Sequence, residues 1–130
     1  MASLSSAKTV IRCQNYLASR EFYATILGLP VIDQWEESGG KGCIFDVGGQ
    51  GFIEIYEMNE AHPRYDSSFR LPVPADKIDL QLRTGSVDEW VDRLNGVWEF
   101  EGPQRQEWGQ RWIRMRDPDN LQLTIYEGQV

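Results

Sequence analysis

An internal repeat is the feature of this sequence that most limits how the chain can fold. Phe52–Glu57 reads FIEIYE, and Gln122–Glu127 reads QLTIYE 70 positions further along. A repeat of this length corresponds to one supersecondary unit, and related units pack together because neither buries its apolar face alone. The sequence therefore predicts two related modules, 7–58 and 77–128, within a single domain of 130 residues. Residues 59–76 between them are rich in Pro, Ser and charge, which is typical of a linker.

Hydrophobic periodicity predicts the order strand, helix, strand, strand, strand in both modules. In the first module Asn15 is a candidate helix cap, and Gly28 stands where a left-handed residue ends a helix. In the second module Ser86 and Glu89 form a capping box, and Gly96 ends the helix. The expected strands are 8–14, 29–35, 42–47 and 51–58 in the first module, and 77–83, 97–100, 111–116 and 121–127 in the second.

Alternation along the strands assigns their two faces. The face expected to meet the helices is aliphatic: Ile53, Ile55, Ile78, Leu80, Leu82, Ile113, Met115, Leu121, Leu123 and Ile125. The first helix is expected to present a stripe of Ala18, Phe22 and Ile26. The opposite face is polar and aromatic at once, and such mixtures line small-molecule pockets. Eight residues there are candidates for ligand binding: Phe52, Glu54, Tyr56, Asp79, Trp112, Arg114, Thr124 and Tyr126.

Charge and composition disfavour several classes of function. The chain has 13 basic and 20 acidic residues, a formal net charge of -7. Net negative charge opposes non-specific binding to nucleic acid or to an anionic membrane, so we expect neither as a partner. No apolar run approaches the ~18 residues of a membrane span, and the first residues do not resemble a secretory leader. Cys13 and Cys43 are interpreted as reduced core thiols of a cytoplasmic protein.

Two motifs resemble the signatures of one known family. Residues 19–29 carry the pattern S-x-x-F-Y-x-x-x-L-G-L, and residues 117–125 resemble DPDGN-x-[IL]-x-[LI] with the glycine missing. Trp108-Gly109 precedes the second motif, as it does in that family. Together they resemble the vicinal oxygen chelate superfamily of glyoxalases, bleomycin-resistance proteins and ring-cleaving dioxygenases. The resemblance implies an α+β fold, in which two βαβββ modules form an open, barrel-like cleft, and a homodimer.

The resemblance also implies where a metal ion would bind. The family's ligands are a His or Gln at the start of the first strand of each module and a Glu in the last strand of each. The corresponding positions here are Lys8, Glu54, Lys77 and Thr124, with Thr9 and Ile78 as neighbours if the strand starts shift by one. Only Glu54 is a good ligand, because an ammonium has no lone pair and a hydroxyl binds transition metals weakly. We therefore expect no metal and no other cofactor, and we hypothesise that a lysine pairs with Glu54 instead.

The favoured hypothesis is non-catalytic binding and sequestration of a planar aromatic small molecule, such as an antibiotic. The metal-free bleomycin-resistance proteins, which this chain resembles in its acidity and aromatic face, bind planar drugs in this way. Stacking and apolar burial would supply the affinity. In this hypothesis Glu54, Asp79 and Asp46 attract a cationic group on the ligand.

Two enzymatic alternatives stay open at this point. A metal-dependent lyase, isomerase or dioxygenase would need other ligands, for which the candidates are Glu54, Glu57, Glu127 and His62. Glu57 and Glu127 share the parity of the core residues of their strands, which counts against this set. The second alternative is metal-free acid–base chemistry by Glu54 beside a lysine.

Overall fold

The computed structural model describes residues 2–129 and has an α+β fold with two open, four-stranded mixed sheets. The chain divides into two compact units, one ending at Pro72 and the other beginning at Val73. This boundary lies inside segment 59–76, which has the composition of a linker. Each unit contains one sheet and one main helix, as the repeat predicts. Between residues 2 and 129, no helix has the length and apolar character needed to cross a membrane.

The first unit has the predicted order of elements. Its strands are β1 (Ala7–Arg12), β2 (Val31–Glu37), β3 (Gly40–Gly48) and β4 (Gly51–Met58), followed by a short 3-10 helix, Ser67–Arg70. The helix α1 follows the Asn15 cap; it is α-helical over Tyr16–Arg20 and π-helical over Glu21–Ile26. In the sheet, of order β1-β4-β3-β2, β1 is parallel to β4 and the other pairs are antiparallel.

The second unit repeats this arrangement. Its strands are β5 (Asp79–Arg83), β6 (Glu101–Arg105), β7 (Arg111–Arg116) and β8 (Gln122–Glu127), and α2 spans Val87–Leu94 after the Ser86 cap. The sheet order is β5-β8-β7-β6, again with the first and last strands parallel. The shared topology confirms the repeat and the α+β fold class that the sequence predicts. Apart from β6, every strand lies within two residues of its predicted bounds.

One face of each sheet packs against the helix of its unit and forms the core. In the first unit, Ile53 and Ile55 of β4 are buried together with Phe22, Tyr23 and Phe45. In the second, the buried side chains are Ile113, Leu123 and Ile125 of the sheet and Val87 and Leu94 of α2. Burying one such side chain stabilises a fold by roughly 1.5–3 kcal/mol. These two apolar faces therefore supply the main stabilisation of the units.

The buried face of α1 differs from the predicted stripe. Phe22 is buried as expected, but Ala18 is exposed and Ile26 is half-buried. The residues that reach the core are Ser19, Phe22, Tyr23 and Leu27. A stripe chosen in steps of four drifts around a helix, whereas steps that mix three and four stay on one face.

The prediction of a strand at 97–100 is wrong, since β6 is formed by residues 101–105 instead. The backbone N–H groups of Val97 and Trp98 donate to the carbonyl of Leu94, so they complete the last turn of α2. β6 is an edge strand with all five residues exposed. Because no residue of β6 is buried, the strand has no apolar alternation that the sequence could reveal, and its Gly102 and Pro103 are tolerated at the sheet edge.

β5 begins at Asp79, two residues later than predicted. Lys77 and Ile78 precede the strand, and Ile78 is 67% exposed, so its assignment to the core is wrong. The register of the sheets also changes the alignment of the repeat. Asp79 occupies the position beside β8 that Lys8 occupies beside β4. Asp79, and not Lys77, is therefore the counterpart of Lys8.

The loop between β7 and β8 contains the DPDN part of the second motif. Asp117 is buried, and its Oδ1 accepts the backbone N–H groups of Asp119 at 2.8 Å and Leu121 at 2.9 Å. Asn120 has a φ of 67°, a left-handed conformation that asparagine adopts more readily than most residues. Asn120 thus adopts the conformation that a glycine would favour, and the motif forms a tight turn.

A glutamate at or next to the end of the last strand of each unit caps the helix of that unit. Glu57 Oε1 accepts the N–H of Tyr16, the first residue of α1, at 2.8 Å. Glu127 Oε1 accepts the N–H of Val87, the first residue of α2, at 3.2 Å. The first N–H groups of a helix have no acceptor within it and form its positive end. Both carboxylates therefore have a structural role on the helix-covered side.

We expect Glu57→Ala to lower the free energy of unfolding by about 1–2 kcal/mol, because the N–H of Tyr16 loses a charged acceptor. Chemical denaturation followed by circular dichroism measures this change. Glu60→Ala is the control, since Glu60 is exposed, and it should change stability by no more than ~0.5 kcal/mol. Equal losses in the two variants would contradict the capping role.

Candidate functional site

In the first unit, the sheet face opposite the helix carries an ion pair. Lys8 Nζ lies 2.8 Å from Glu54 Oε1. The Glu54 side chain is 11% exposed and that of Lys8 is 43% exposed, so the carboxylate is nearly enclosed while the lysine reaches solvent. The hypothesis that a lysine pairs with Glu54 is confirmed. The Lys8 ammonium therefore neutralises Glu54, which is the best metal ligand among the four positions that the family resemblance implies.

Tyr56, on the same face, is enclosed by side chains of its own unit. Its hydroxyl donates to Glu37 Oε1 at 2.6 Å. The rings of Trp35 and His62 meet it edge-on, with centroids 5.4 Å and 5.6 Å away. The hydrogen bond to Glu37, and then burial, raise the pKa of Tyr56 above its ordinary value, so the phenol stays protonated at neutral pH. Tyr56 is 8% exposed and presents little surface to a ligand.

The second unit has a different pair at the corresponding place. Thr124 occupies in β8 the position of Glu54 in β4, and Asp79 occupies that of Lys8. The Thr124 hydroxyl donates to Asp79 Oδ1 at 2.9 Å, and the Gln81 amide donates to Oδ2 at 2.9 Å. Equivalent positions therefore carry an ion pair in the first unit and a carboxylate held by neutral donors in the second.

These side chains do not fit the transition-metal site that the family resemblance implies. Lys8 supplies an ammonium and Thr124 a hydroxyl, neither of which is a good ligand for such a metal. The carboxylates of Glu54 and Asp79 already accept hydrogen bonds from these two groups. Across the described part of the chain, no three His, Cys, Asp or Glu side chains are grouped for metal binding.

The alternative ligand set is not assembled either. Glu57 and Glu127 cap the two helices, each on the helix-covered side of its own sheet, and Glu54 lies on the other face of the first sheet. His62 Nδ1 accepts the backbone N–H of Arg64 at 3.0 Å. The hypothesis of a metal held by these three residues together with Glu54 is therefore wrong, because each is engaged in its own local contact.

β7 places an aromatic–cationic pair on the face of the second sheet that is opposite the helix. The Arg114 guanidinium carbon lies 4.1 Å from the centroid of the Trp112 ring, within cation–π distance. Arg114 Nε also donates to Thr124 Oγ1 at 3.3 Å. Since Thr124 is bonded to Asp79, these four predicted site residues form one contiguous network. Trp112 is only 7% exposed, and the Arg114 guanidinium lies over its ring.

A pocket of about 460 Å³ lies against this network. Its volume falls within the roughly 300–1,000 Å³ typical of small-molecule sites. Its lining consists of Trp112, Arg114 and Thr124 together with Gln81, Glu101, Gln104, Gln106, Trp108 and Gln110. Trp108 is 71% exposed, so its indole is the accessible aromatic surface. Arg114 and Glu101 also border a neighbouring depression of about 520 Å³.

The sequence-based prediction omitted Trp108 and the glutamines of the pocket. Gln104, Gln106, Trp108 and Gln110 stand at alternate positions of one segment. These residues do not share one extended strand, because Gln104 belongs to β6 whereas residues 106–110 form the turn between β6 and β7, closed by a hydrogen bond from the Gln106 N–H to the Gln110 carbonyl at 2.7 Å. Period-2 alternation assigns faces only within a strand, so the sequence pattern carried no signal for this part of the lining.

The eight predicted site residues are divided between the two units. Phe52, Glu54 and Tyr56 belong to the first unit, and the other five belong to the second. Of these five, Trp112, Arg114 and Thr124 line the pocket. Asp79 accepts a hydrogen bond from the Thr124 hydroxyl. Tyr126 is paired with Trp112 in the sheet register, is 7% exposed and does not line the pocket.

Comparisons with known proteins identify the family. The model of the Glyoxalase/Bleomycin resistance protein/Dioxygenase superfamily matches residues 6–125. The chain is also 30% identical over 121 residues to the protein YwkD of Bacillus subtilis (strain 168), covering 90% of this chain and 91% of that protein. The chain belongs to the glyoxalase/bleomycin resistance protein/dioxygenase superfamily.

Two solved structures share the fold. TnmS3, an antibiotic binding protein from Streptomyces sp. CB03234, matches with a TM-score of 0.75 and 18% identity over 99% of both chains. A lactoylglutathione lyase from Agrobacterium tumefaciens matches with a TM-score of 0.70 and 20% identity, over 98% of this chain and 96% of that chain. At these identities the likeness shows the fold, and it confirms the glyoxalase/bleomycin-resistance architecture.

We expect Lys8→Met to destabilise the protein more than Glu54→Gln, by about 1 kcal/mol or more. Loss of the lysine leaves a nearly enclosed carboxylate without its partner, whereas loss of the carboxylate leaves a lysine that reaches water. Urea denaturation at neutral pH measures both changes. Lys77→Met is the matched control, because Lys77 is exposed ahead of β5. Equal effects of Lys8→Met and Lys77→Met would show that the ion pair contributes nothing.

We expect purified protein to contain no stoichiometric Zn, Ni, Mn or Fe, because the donors at the family positions are bonded to one another. Inductively coupled plasma mass spectrometry on protein prepared without chelator measures the content. The prediction is wrong if about one metal per chain is found and its removal by chelator unfolds the protein.

Proposed function

We propose that the chain binds and sequesters a planar aromatic small molecule, such as an antibiotic, without converting it. The observation that carries the proposal is the pocket of the second unit, where Arg114 lies over Trp112 beside the exposed Trp108. Indole and guanidinium planes stack on flat rings. The four glutamines of the lining offer neutral donors and acceptors to the edge of such a ring. A flat ring system with polar substituents suits this lining.

The comparisons support a binding role without deciding it. TnmS3 is an antibiotic binding protein, whereas the lactoylglutathione lyase is an enzyme, and both share the fold. Because one fold can serve binding or catalysis, the proposal rests on the side chains. Glu54 is bonded to Lys8 and nearly enclosed, and Asp79 is bonded to Thr124 and Gln81. Carboxylates held in this way are poor general bases and poor metal ligands.

Ligand binding should quench tryptophan fluorescence, because two of the five tryptophans line the pocket. We expect Trp108→Ala to weaken the binding of a planar ligand by about tenfold, because Trp108 is the exposed aromatic side chain of the pocket. Trp112→Ala should weaken binding by a smaller factor, through loss of the ring against which Arg114 lies. Stacking contributes on the order of 1 kcal/mol beyond the area buried, and 1.4 kcal/mol corresponds to one decade in affinity. Fluorescence titration against a panel of planar aromatic antibiotics measures the affinities.

Trp90→Phe is the matched control for these titrations. Trp90 belongs to α2, on the other side of the second sheet, where its Nε1 donates to Thr84 at 3.0 Å. This variant should bind the ligand as the wild type does. The proposal fails if no member of the panel gives saturable quenching, or if Trp90→Phe weakens binding as much as Trp108→Ala.

We also propose that the protein is a symmetric homodimer in the cytoplasm. Each sheet ends in a largely exposed edge strand, and β2 exposes Val31 and Ile32. Unpaired strand edges with apolar side chains favour association between chains, and twofold symmetry is the commonest arrangement of homo-oligomers. Cys13 and Cys43 are buried in the thiol form and not as a disulfide, which supports a reducing compartment.

Sedimentation velocity at tens of micromolar should give twice the chain mass of 15.0 kDa. If β2 takes part in the association, Ile32→Lys should shift the protein toward monomer, because an edge charge opposes strand pairing. Leu71→Lys, an equally drastic change at an exposed residue outside the strands, serves as the control. A stable wild-type monomer at this concentration would contradict the proposed dimer.

A further inference from the structure

We infer that the pocket of the second unit selects planar aromatic ligands that carry an oxyanion on the ring edge, a carboxylate or a phenolate, bound by the guanidinium of Arg114. This inference rests on the proposed function and names the ligand's chemical class. It also reverses the charge preference that the sequence suggested, in which Glu54, Asp79 and Asp46 attract a cation.

The network behind Arg114 holds its guanidinium in one orientation. Asp79, as a carboxylate, only accepts hydrogen bonds, so the proton of the Thr124 hydroxyl points to it at 2.9 Å. The lone pairs of Thr124 Oγ1 are then directed to Arg114 Nε, 3.3 Å away. The Trp112 ring supports the guanidinium from a second side. A donor held in this way loses little freedom when a ligand binds.

The terminal nitrogens of Arg114 have no acceptor on the described part of the chain. The neighbouring arginines of β7 differ in this respect. Arg111 forms an ion pair with Asp88 at 2.8 Å, and Arg116 forms one with Asp76. Within residues 2–129, no carboxylate oxygen lies within 4.0 Å of an Arg114 nitrogen. The positive charge of Arg114 is therefore available to bind an anionic group from outside this unit.

A guanidinium has five N–H donors and no acceptor, so its partner must be an acceptor. Carboxylate and phenolate oxygens are the strongest such partners, and a carboxylate matches the guanidinium fork with two parallel hydrogen bonds. The other polar groups of the lining are mostly neutral amides. They hydrogen-bond to ring substituents of either polarity and do not oppose an anion.

Glu101 is the one acidic residue of the pocket lining. It is directly opposite Arg114 in the β6–β7 register, yet it is exposed and forms no ion pair with Arg114. A cationic ligand would meet Arg114 as a like charge and Glu101 as an opposite one. A test therefore needs a cationic probe as well as a neutral one, so that the two side chains can be distinguished.

Three anthracene probes isolate the charge of the ring substituent: anthracene-2-carboxylate, anthracen-2-ylmethanol and anthracen-2-ylmethylammonium. Isothermal titration calorimetry of the wild type at low salt should give the carboxylate an affinity at least about tenfold above that of the alcohol, as one charge-assisted hydrogen bond provides. The ammonium should bind most weakly. Added salt should reduce the preference, because screening weakens accessible charge pairs.

Arg114→Gln should remove the preference for the carboxylate while the alcohol still binds. Arg93→Gln is the matched control, because Arg93 lies over the Trp90 ring, at 5.8 Å, on the helix side of the same sheet. It carries the same charge change and should retain the preference. Thr124→Val, which leaves the Arg114 charge present without its positioning partner, should reduce the preference by a smaller factor.

The wild-type probe series tests the inference even if a variant does not fold. Equal affinity for the three probes, or tighter binding of the ammonium, would overturn the inference and leave the proposed function standing. Absence of saturable binding by all three probes and by the antibiotic panel would overturn both. A carboxylate preference that persists in Arg114→Gln, with the variant shown to be folded by circular dichroism, would assign the selectivity to another group.

Discussion

The pairing of the last strand of each unit on both of its edges is the constraint on which the rest of the structure depends. β4 and β8 each lie between a parallel and an antiparallel neighbour, so their register sets the register of the whole sheet. Alternation then gives every residue of the sheet one of two environments. In β8, Leu123 and Ile125 enter the core, whereas Thr124 and Tyr126 lie on the opposite face. The site is therefore a consequence of the same periodicity that forms the core.

Equivalent positions on this frame have diverged in chemistry between the units. The first unit pairs Lys8 with Glu54, so the charges there balance each other. The second replaces them with Asp79 and Thr124, whose hydrogen bond leads on to Arg114. The Lys8–Glu54 ion pair neutralises both of its members, whereas the Thr124 hydroxyl donates to Asp79 and accepts a hydrogen bond only from Nε of Arg114. The guanidinium keeps its remaining donors, and this difference makes the second unit the better candidate for ligand recognition.

Position along the strand decides the role of a carboxylate as much as its chemistry does. Glu54 and Glu57 belong to the same strand and differ by three positions, so they lie on opposite faces. Glu57 completes the start of a helix, while Glu54 faces away from it and is bonded to Lys8. The same separation of roles recurs at Thr124 and Glu127. A set of acidic residues selected by type alone therefore mixes structural and functional groups, as the discarded metal-ligand set did.

The sequence by itself determined the repeat, the fold class and the face to which most strand residues belong, because period-2 alternation and helix caps are local properties of the chain. Tertiary structure decided what depends on pairing between distant residues. The register of β5 against β8 placed Asp79 and not Lys77 beside Thr124, and pairing of an edge strand without apolar alternation placed β6 at 101–105. Whether an arginine has a carboxylate within reach is also a property of packing. Arg114 and Arg116 fall on the same face by alternation, and only the fold pairs Arg116 with Asp76 and leaves Arg114 directed at a pocket without an anionic partner from the described residues.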